Sequence, residues 1–171
     1  VGGSVPASEH SVMCMGGKLD EVETIRRLIT QIYPSGVVSI VSDTWDFWNV
    51  ITNTAKILKN DILARKPNGL GLAKVVFRPD SGDPVKIICG DPDAPVGTPA
   101  HKGAVECLWE IFGGTFNEKG YRTLNQRVGL IYGDSITLSR ARDILQVLVD
   151  RGFASDNIVF GIGSYTYQYC T

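Results

Sequence analysis

Val37-Val38-Ser39-Ile40-Val41-Ser42-Asp43 decides the fold reading. It is a short β-branched run that ends abruptly on a hydroxyl and an acid. Three later stretches repeat the arrangement: Val75-Val76-Phe77-Arg78-Pro79-Asp80-Ser81-Gly82-Asp83, Val128-Gly129-Leu130-Ile131-Tyr132-Gly133-Asp134 and Ile158-Val159-Phe160-Gly161-Ile162-Gly163-Ser164. Runs this short, rich in β-branched and aromatic residues and bounded by turn residues, read as strands. Their apolar residues do not alternate with polar ones, which points to strands buried on both faces, as in a parallel sheet.

Helical periodicity fills the intervals. Residues 20–33 place Val22, Ile25, Leu28, Ile29 and Ile32 on one stripe. Similar stripes run through 46–65, 99–112 and 137–151, the last stopping at Gly152. Strand and helix in alternation predict an α/β chain of parallel β/α units forming part of an irregular barrel. The stretch Lys86 to Gly97, rich in Pro, Asp and Gly, reads as a loop, with a small hairpin around Val85-Lys86-Ile87-Ile88. Residues 1–171 read as one partial catalytic domain. The first residue is not Met and the last follow directly on a glycine-rich turn, so the chain is expected to be part of a longer enzyme.

Composition narrows the classes. The chain has 171 residues, 43% hydrophobic and 20% charged, with a net charge of -1. That balance gives no broad basic surface for nucleic acid or an anionic membrane. No apolar run approaches the roughly 18 residues of a membrane span. Cys14, Cys89, Cys107 and Cys170 form no C-x-x-C pair, and His10 and His101 are the only histidines, so no metal-ligand set is assigned. Scattered thiols fit a reducing compartment, and a cytoplasmic location is expected.

In parallel β/α folds, ligands bind at the carboxyl ends of the strands. Here those ends carry the chemistry, and the expected ligand is a phosphorylated sugar. Arg78 can fork to a phosphate or stack on a flat ring. Asp80 can hold ribose hydroxyls or Mg²⁺, and Ser81 and Gly82 offer donors with little bulk. The same segment is also good turn sequence. Asp43 can act in a site or cap the next helix. Gly133 allows close backbone approach, and Asp134 can cap the helix from Thr137. The Gly161-Ile162-Gly163-Ser164 turn can cradle phosphate, although it lacks the third glycine of a dinucleotide fingerprint. His10, beside Glu9, reads as a loop residue at a site mouth, and His101 as a surface loop residue.

Taken in order, Ser4-Val5-Pro6-Ala7-Ser8-Glu9-His10-Ser11, Val41-Ser42-Asp43, Phe77-Arg78-Pro79-Asp80-Ser81-Gly82, Tyr132-Gly133-Asp134 and Phe160-Gly161-Ile162-Gly163-Ser164 resemble the nicotinamide phosphoribosyltransferases, the bacterial and phage forms in particular. The resemblance spans the chain and corresponds to a central-to-C-terminal portion of those enzymes. It implies transfer of a phosphoribosyl group from phosphoribosyl pyrophosphate to nicotinamide in NAD salvage. Mg²⁺ is the implied cofactor and ATP an optional activator, in a homodimer with sites at the subunit interface. His10 is similar to the histidine that ATP phosphorylates. Asp43 and Asp80 are similar to the acids that hold the phosphoribosyl group and support that histidine. Arg78 is similar to the arginine that stacks on the nicotinamide ring. Gly133 and Asp134 match the ribose contacts, Gly163 and Ser164 the phosphate grip, and Ser81 lies in the matched block.

Vertebrate-type members carry a glycine run where this chain has Ser164-Tyr165. The family's second ring-stacking aromatic, its carboxamide-reading acid and its later basic residues have no counterpart here. The alternatives are a nicotinate phosphoribosyltransferase or a phosphate-binding module without turnover. A Schiff-base aldolase is disfavoured, because Lys74 lies at the start of its strand.

Overall fold

The computed structural model describes residues 5–133 and 136–161. Strands β1 (Val38–Val41), β2 (Val75–Arg78), β5 (Val128–Tyr132) and β6 (Ile158–Phe160) form a parallel sheet in the order β1-β2-β5-β6. Val38 pairs with Val75, Val75 with Val128, and Leu130 with Ile158, so the four carboxyl ends share one edge. Every residue of β1 is buried. In β6, the outer strand among the described residues, Val159 is 58% exposed. On the other side, Ala7 bridges to Ser39 in parallel, and Ser8 N–H donates to Ser39 O. Among the described residues the sheet does not close into a barrel.

The helices are α1 (His10–Cys14), α2 (Glu21–Arg27), α3 (Phe47–Asn49), α4 (Ala55–Ile57), α5 (Lys59–Leu63), α6 (Pro84–Cys89), α7 (Pro99–Lys102), α8 (Ala104–Phe112) and α9 (Leu138–Asp150). α2 runs on into a wider turn over Leu28–Ile32, and α3 joins α4 through another over Val50–Thr54. Their apolar stripes bury Ile25, Ile29, Ile51, Ile62, Leu108, Ile144 and Leu148 against the sheet residues Ile40, Phe77 and Leu130. Burial of such side chains is the main favourable term for a fold of this kind.

Two sequence expectations are corrected here. Residues 85–88 are helical, not a hairpin: Asp83 accepts from the Val85 N–H as an N-cap and Pro84 opens the helix. A proline at the first helical position loses no hydrogen bond, and the β-branched Ile87 and Ile88 follow the cap. His101 lies half-buried in α7, capped by Thr98, and not on a surface loop. The stripe over 99–112 is also two helices. Gly103 breaks it at φ +84, where a Cβ would stand 2.4 Å from the Cys89 carbonyl carbon and Gly90 N.

The hairpin in this interval comes later. β3 (Gly114–Phe116) and β4 (Arg122–Leu124) pair antiparallel. The turn is tied by Asn117 Oδ1, which accepts from the Lys119 and Tyr121 amides.

Arg65 fixes the amino-terminal side of the sheet. It is 4% exposed and faces carbonyls instead of a carboxylate. Its Nη1 donates to Ile29 O and to Tyr33 O at 2.7 Å, and its Nη2 donates to Gly36 O at 2.8 Å. These bonds hold the end of the α2 segment and the turn into β1. Replacing Arg65 with Met keeps the stem and removes the donors, leaving buried carbonyls unpaired. We expect a loss of about 3 kcal/mol in a denaturant melt, with Arg65→Lys recovering only part because an ammonium carries its donors on one nitrogen and lacks the planar fork that spans these carbonyls. Unchanged stability in Arg65→Met would refute this role.

Candidate active site

The strand ends converge. β1 places Ser42 and Asp43 beside Arg78 and Asp80 at the end of β2. Buried Ser42 ties the two strands: its amide donates to Arg78 O at 2.9 Å, its hydroxyl donates to Ile40 O, and its Oγ accepts from Arg78 N. The next residue turns toward the site. Asp43 does not cap a helix; Asp46 caps α3, accepting from the Asn49 amide. Instead Asp43 Oδ2 accepts from Asp80 N–H at 2.9 Å and from Ser81 Oγ at 2.6 Å. Its side chain is only 5% exposed, and its Oδ1 is buried with no hydrogen-bond partner among the described residues.

His10, at the start of α1, stands over this pair of acids. Its Nε2 lies 3.8 Å from Asp43 Oδ1 and 3.8 Å from Asp80 Oδ2. The other ring nitrogen, Nδ1, shares a 3.0 Å hydrogen bond with Thr44 Oγ1. The ring is therefore held from one side and presented to two carboxylates, while its side chain stays 49% exposed. Residues 34 positions apart meet here because the segment before α1 pairs with β1.

Arg78 is held through two of its three guanidinium nitrogens. Nε donates to Asp80 Oδ2 at 3.1 Å, and Nη2 donates to Ser8 O at 3.1 Å and to Glu9 Oε2 at 3.3 Å. A guanidinium held in its own plane leaves its face available for stacking. Asp80 sits in competing fields. Burial raises its carboxyl above the ordinary range and outweighs the Arg78 cation, which lowers it; Asp43 adds a further raise.

The third and fourth strand ends come close. Gly161 N–H donates to Tyr132 O at 2.9 Å, and a Cβ on Gly161 would stand 2.8 Å from Gly133 Cα. Only glycine allows that approach. Gly133 itself faces the site, with its ideal Cβ position 4.0 Å from Asp80 Oδ1. Thr137 caps α9, its side chain accepting from the Arg140 amide. Asp134, Gly163 and Ser164 lie outside the described residues.

The structure thus gathers His10, Asp43, Arg78, Asp80, Ser81 and Gly133. It adds Ser8, Glu9 and Thr44, which sequence reasoning left unassigned. Their only sequence signal is adjacency to His10 and Asp43. A hollow of about 570 Å³ lies elsewhere, lined by Asn117, Glu118, Lys119, Tyr121 and Asp156 on the side where β6 begins. It brings no histidine to a pair of acids, and the reactive groups sit at the opposite strand ends.

Mg²⁺ suits hard oxygen donors and is commonly held by one or two carboxylates together with substrate phosphates. The unpaired Asp43 Oδ1 and the Asp80 carboxylate fit that role. No group of three or more His, Cys, Asp or Glu among the described residues makes a full cage.

Asp80 gives a pH-dependent stability test. Its folded carboxyl titrates above the unfolded value, so its contribution is full at low pH and is lost as pH rises through the folded value. At pH 7 Asp80→Asn, whose amide oxygen can still accept from Arg78, is expected to be at least as stable as the parent. Near pH ~3, below the ordinary carboxylate range, any advantage disappears. A clear drop in melting temperature at pH 7 would contradict the burial argument.

The family model described as nicotinate phosphoribosyltransferase (NAPRTase) family matches residues 2–171. A nicotinamide phosphoribosyltransferase of Acinetobacter baylyi is 71% identical over 171 residues, covering 100% of this chain and 34% of that protein. One from Mycoplasma pneumoniae is 43% identical over 165 residues, covering 96% of this chain and 35% of its own length. One from Xanthomonas campestris is 36% identical over 169 residues, covering 98% and 32%. The chain spans about one third of the length of the curated relatives it matches. By the family match over nearly its whole length, the chain belongs to the nicotinate phosphoribosyltransferase (NAPRTase) family.

Proposed function

We propose that this chain supplies the phosphoribosyl-transfer site of a pentosyltransferase acting on nicotinamide. The observation that supports this most is the convergence of His10, Asp43, Asp80 and Arg78 at adjacent strand ends. The names of the relatives favour nicotinamide as the base.

In the reaction, the bond between C1 of the ribose and the pyrophosphate oxygen breaks, and the pyridine nitrogen forms the new bond to C1. Pyrophosphate leaves with the electron pair, and nicotinamide mononucleotide forms. Positive charge builds on the sugar as the old bond lengthens. Fixed carboxylates stabilise that charge because they need no rearrangement when it develops. Asp43, locked by Asp80 N–H and Ser81 Oγ, is such a group. Arg78, held by Ser8, Glu9 and Asp80, offers its face to the ring. Gly133 leaves room beside the ribose. Asp43 and Asp80 would hold Mg²⁺, which would supply neutralisation of charge on the leaving group.

In the same reading His10 accepts a phosphoryl group from ATP, with ADP leaving, as an optional activation. Its exposed ring and its two facing carboxylates suit a site whose charge is changed by that modification. A homodimer and a cytoplasmic location belong to the same reading. No helix among the described residues is long and apolar enough to cross a membrane.

The second reading, transfer to nicotinate, draws on the family's description. Both are tested by product formation in the protein that carries this chain, with phosphoribosyl pyrophosphate and either base. The expected result is a higher kcat/KM for nicotinamide. Arg78→Ala is expected to raise the nicotinamide KM about tenfold, in line with a stacking contribution of about 1 kcal/mol or more. A preference for nicotinate would select the second reading. Absence of product with both bases would sink phosphoribosyl transfer altogether.

A further inference from the structure

We propose that Tyr132 is a positioning residue for the acidic loop at the end of β2. The Tyr132 ring is 2% exposed, and its hydroxyl lies 3.0 Å from Ser81 O and 3.0 Å from Gly82 O. From β5, the single hydroxyl proton is shared between these two carbonyls as a three-centre hydrogen bond. Asp43 Oδ2, from β1, takes the Asp80 amide and the Ser81 hydroxyl. β1 and β5 are the two neighbours of β2 in the sheet. The loop is therefore latched on its amide side by one neighbour and on its carbonyl side by the other.

Asp80, one residue before the first latched carbonyl, takes its position from this double hold. Its carboxylate must face His10 Nε2 and Arg78 Nε at once, at 3.8 Å and 3.1 Å. A loop free to rock would blur both contacts. Arg78 is less dependent on the latch, since it lies within β2 and is also held by Ser8 O and Glu9. Loss of the tyrosine hydroxyl should therefore weaken the step in which charge develops near Asp80 more than it weakens capture of the base.

The test is Tyr132→Phe in the protein that carries this chain, which removes the hydroxyl and keeps the ring in its buried place. Two readouts are needed. Hydrogen exchange of the peptide spanning 79–83 is expected to accelerate about tenfold, as the loss of one hydrogen bond of ordinary net worth would allow. kcat is expected to fall about tenfold while the nicotinamide KM stays within about twofold. Phe153→Leu is the control: it loosens a core residue, 1% exposed, whose ring packs on Trp109 and under Arg122. It should lower the melting temperature without that split between kcat and KM. Unchanged exchange over 79–83 overturns the proposal. So does a kcat loss no larger than that of Phe153→Leu. The kinetic arm rests on the phosphoribosyl-transfer reading, whereas the exchange arm does not. A parent protein that makes no product would defeat that reading, and exchange alone would then decide the latch.

Discussion

One carboxylate organises the site. Asp43 Oδ2 accepts from the Asp80 amide and the Ser81 hydroxyl, joining the ends of β1 and β2. A carboxylate that is 5% exposed needs its hydrogen bonds satisfied. Here one oxygen is satisfied by the neighbouring loop, and the other, Oδ1, is left toward His10. The same residue is thus both a latch and an available acceptor. The arrangement depends on parallel register, which sets Val41 opposite Arg78 and so brings Asp43 within reach of Asp80.

The surrounding interactions follow from that junction. Arg78 lies between the acids and the segment before α1, so its three hydrogen bonds tie the histidine's approach to the end of β2. Thr44, next to Asp43, takes the far ring nitrogen of His10. Burial raises the Asp80 carboxyl despite the adjacent arginine. Holding a charge there is unfavourable for folding and useful for chemistry, a common feature of reactive sites.

Much of this was legible in the sequence, and the failures have physical causes. The strands declared themselves through buried β-branched runs, and their polar termini pointed to the site. Val85-Lys86-Ile87-Ile88 misled because β-branched residues also tolerate a helix that a good cap has started, and Asp83-Pro84 is such a cap. β3 and β4 were missed because Gly114-Thr115-Phe116 is exposed throughout and Arg122-Thr123-Leu124 offers no apolar run. The fixing of His10 by Thr44 and of the β2 loop by Tyr132 were invisible, since their partners are 34 and 50 or more residues away. Only strand register brings such pairs together.

The most direct test of the account is a crystal structure of the protein that carries this chain with nicotinamide mononucleotide bound. The account predicts the pyridine ring against the face of Arg78, with the ribose beside Asp43 and Asp80. Nucleotide lodged instead in the hollow beside Asn117 and Tyr121, with the strand ends empty, would contradict it.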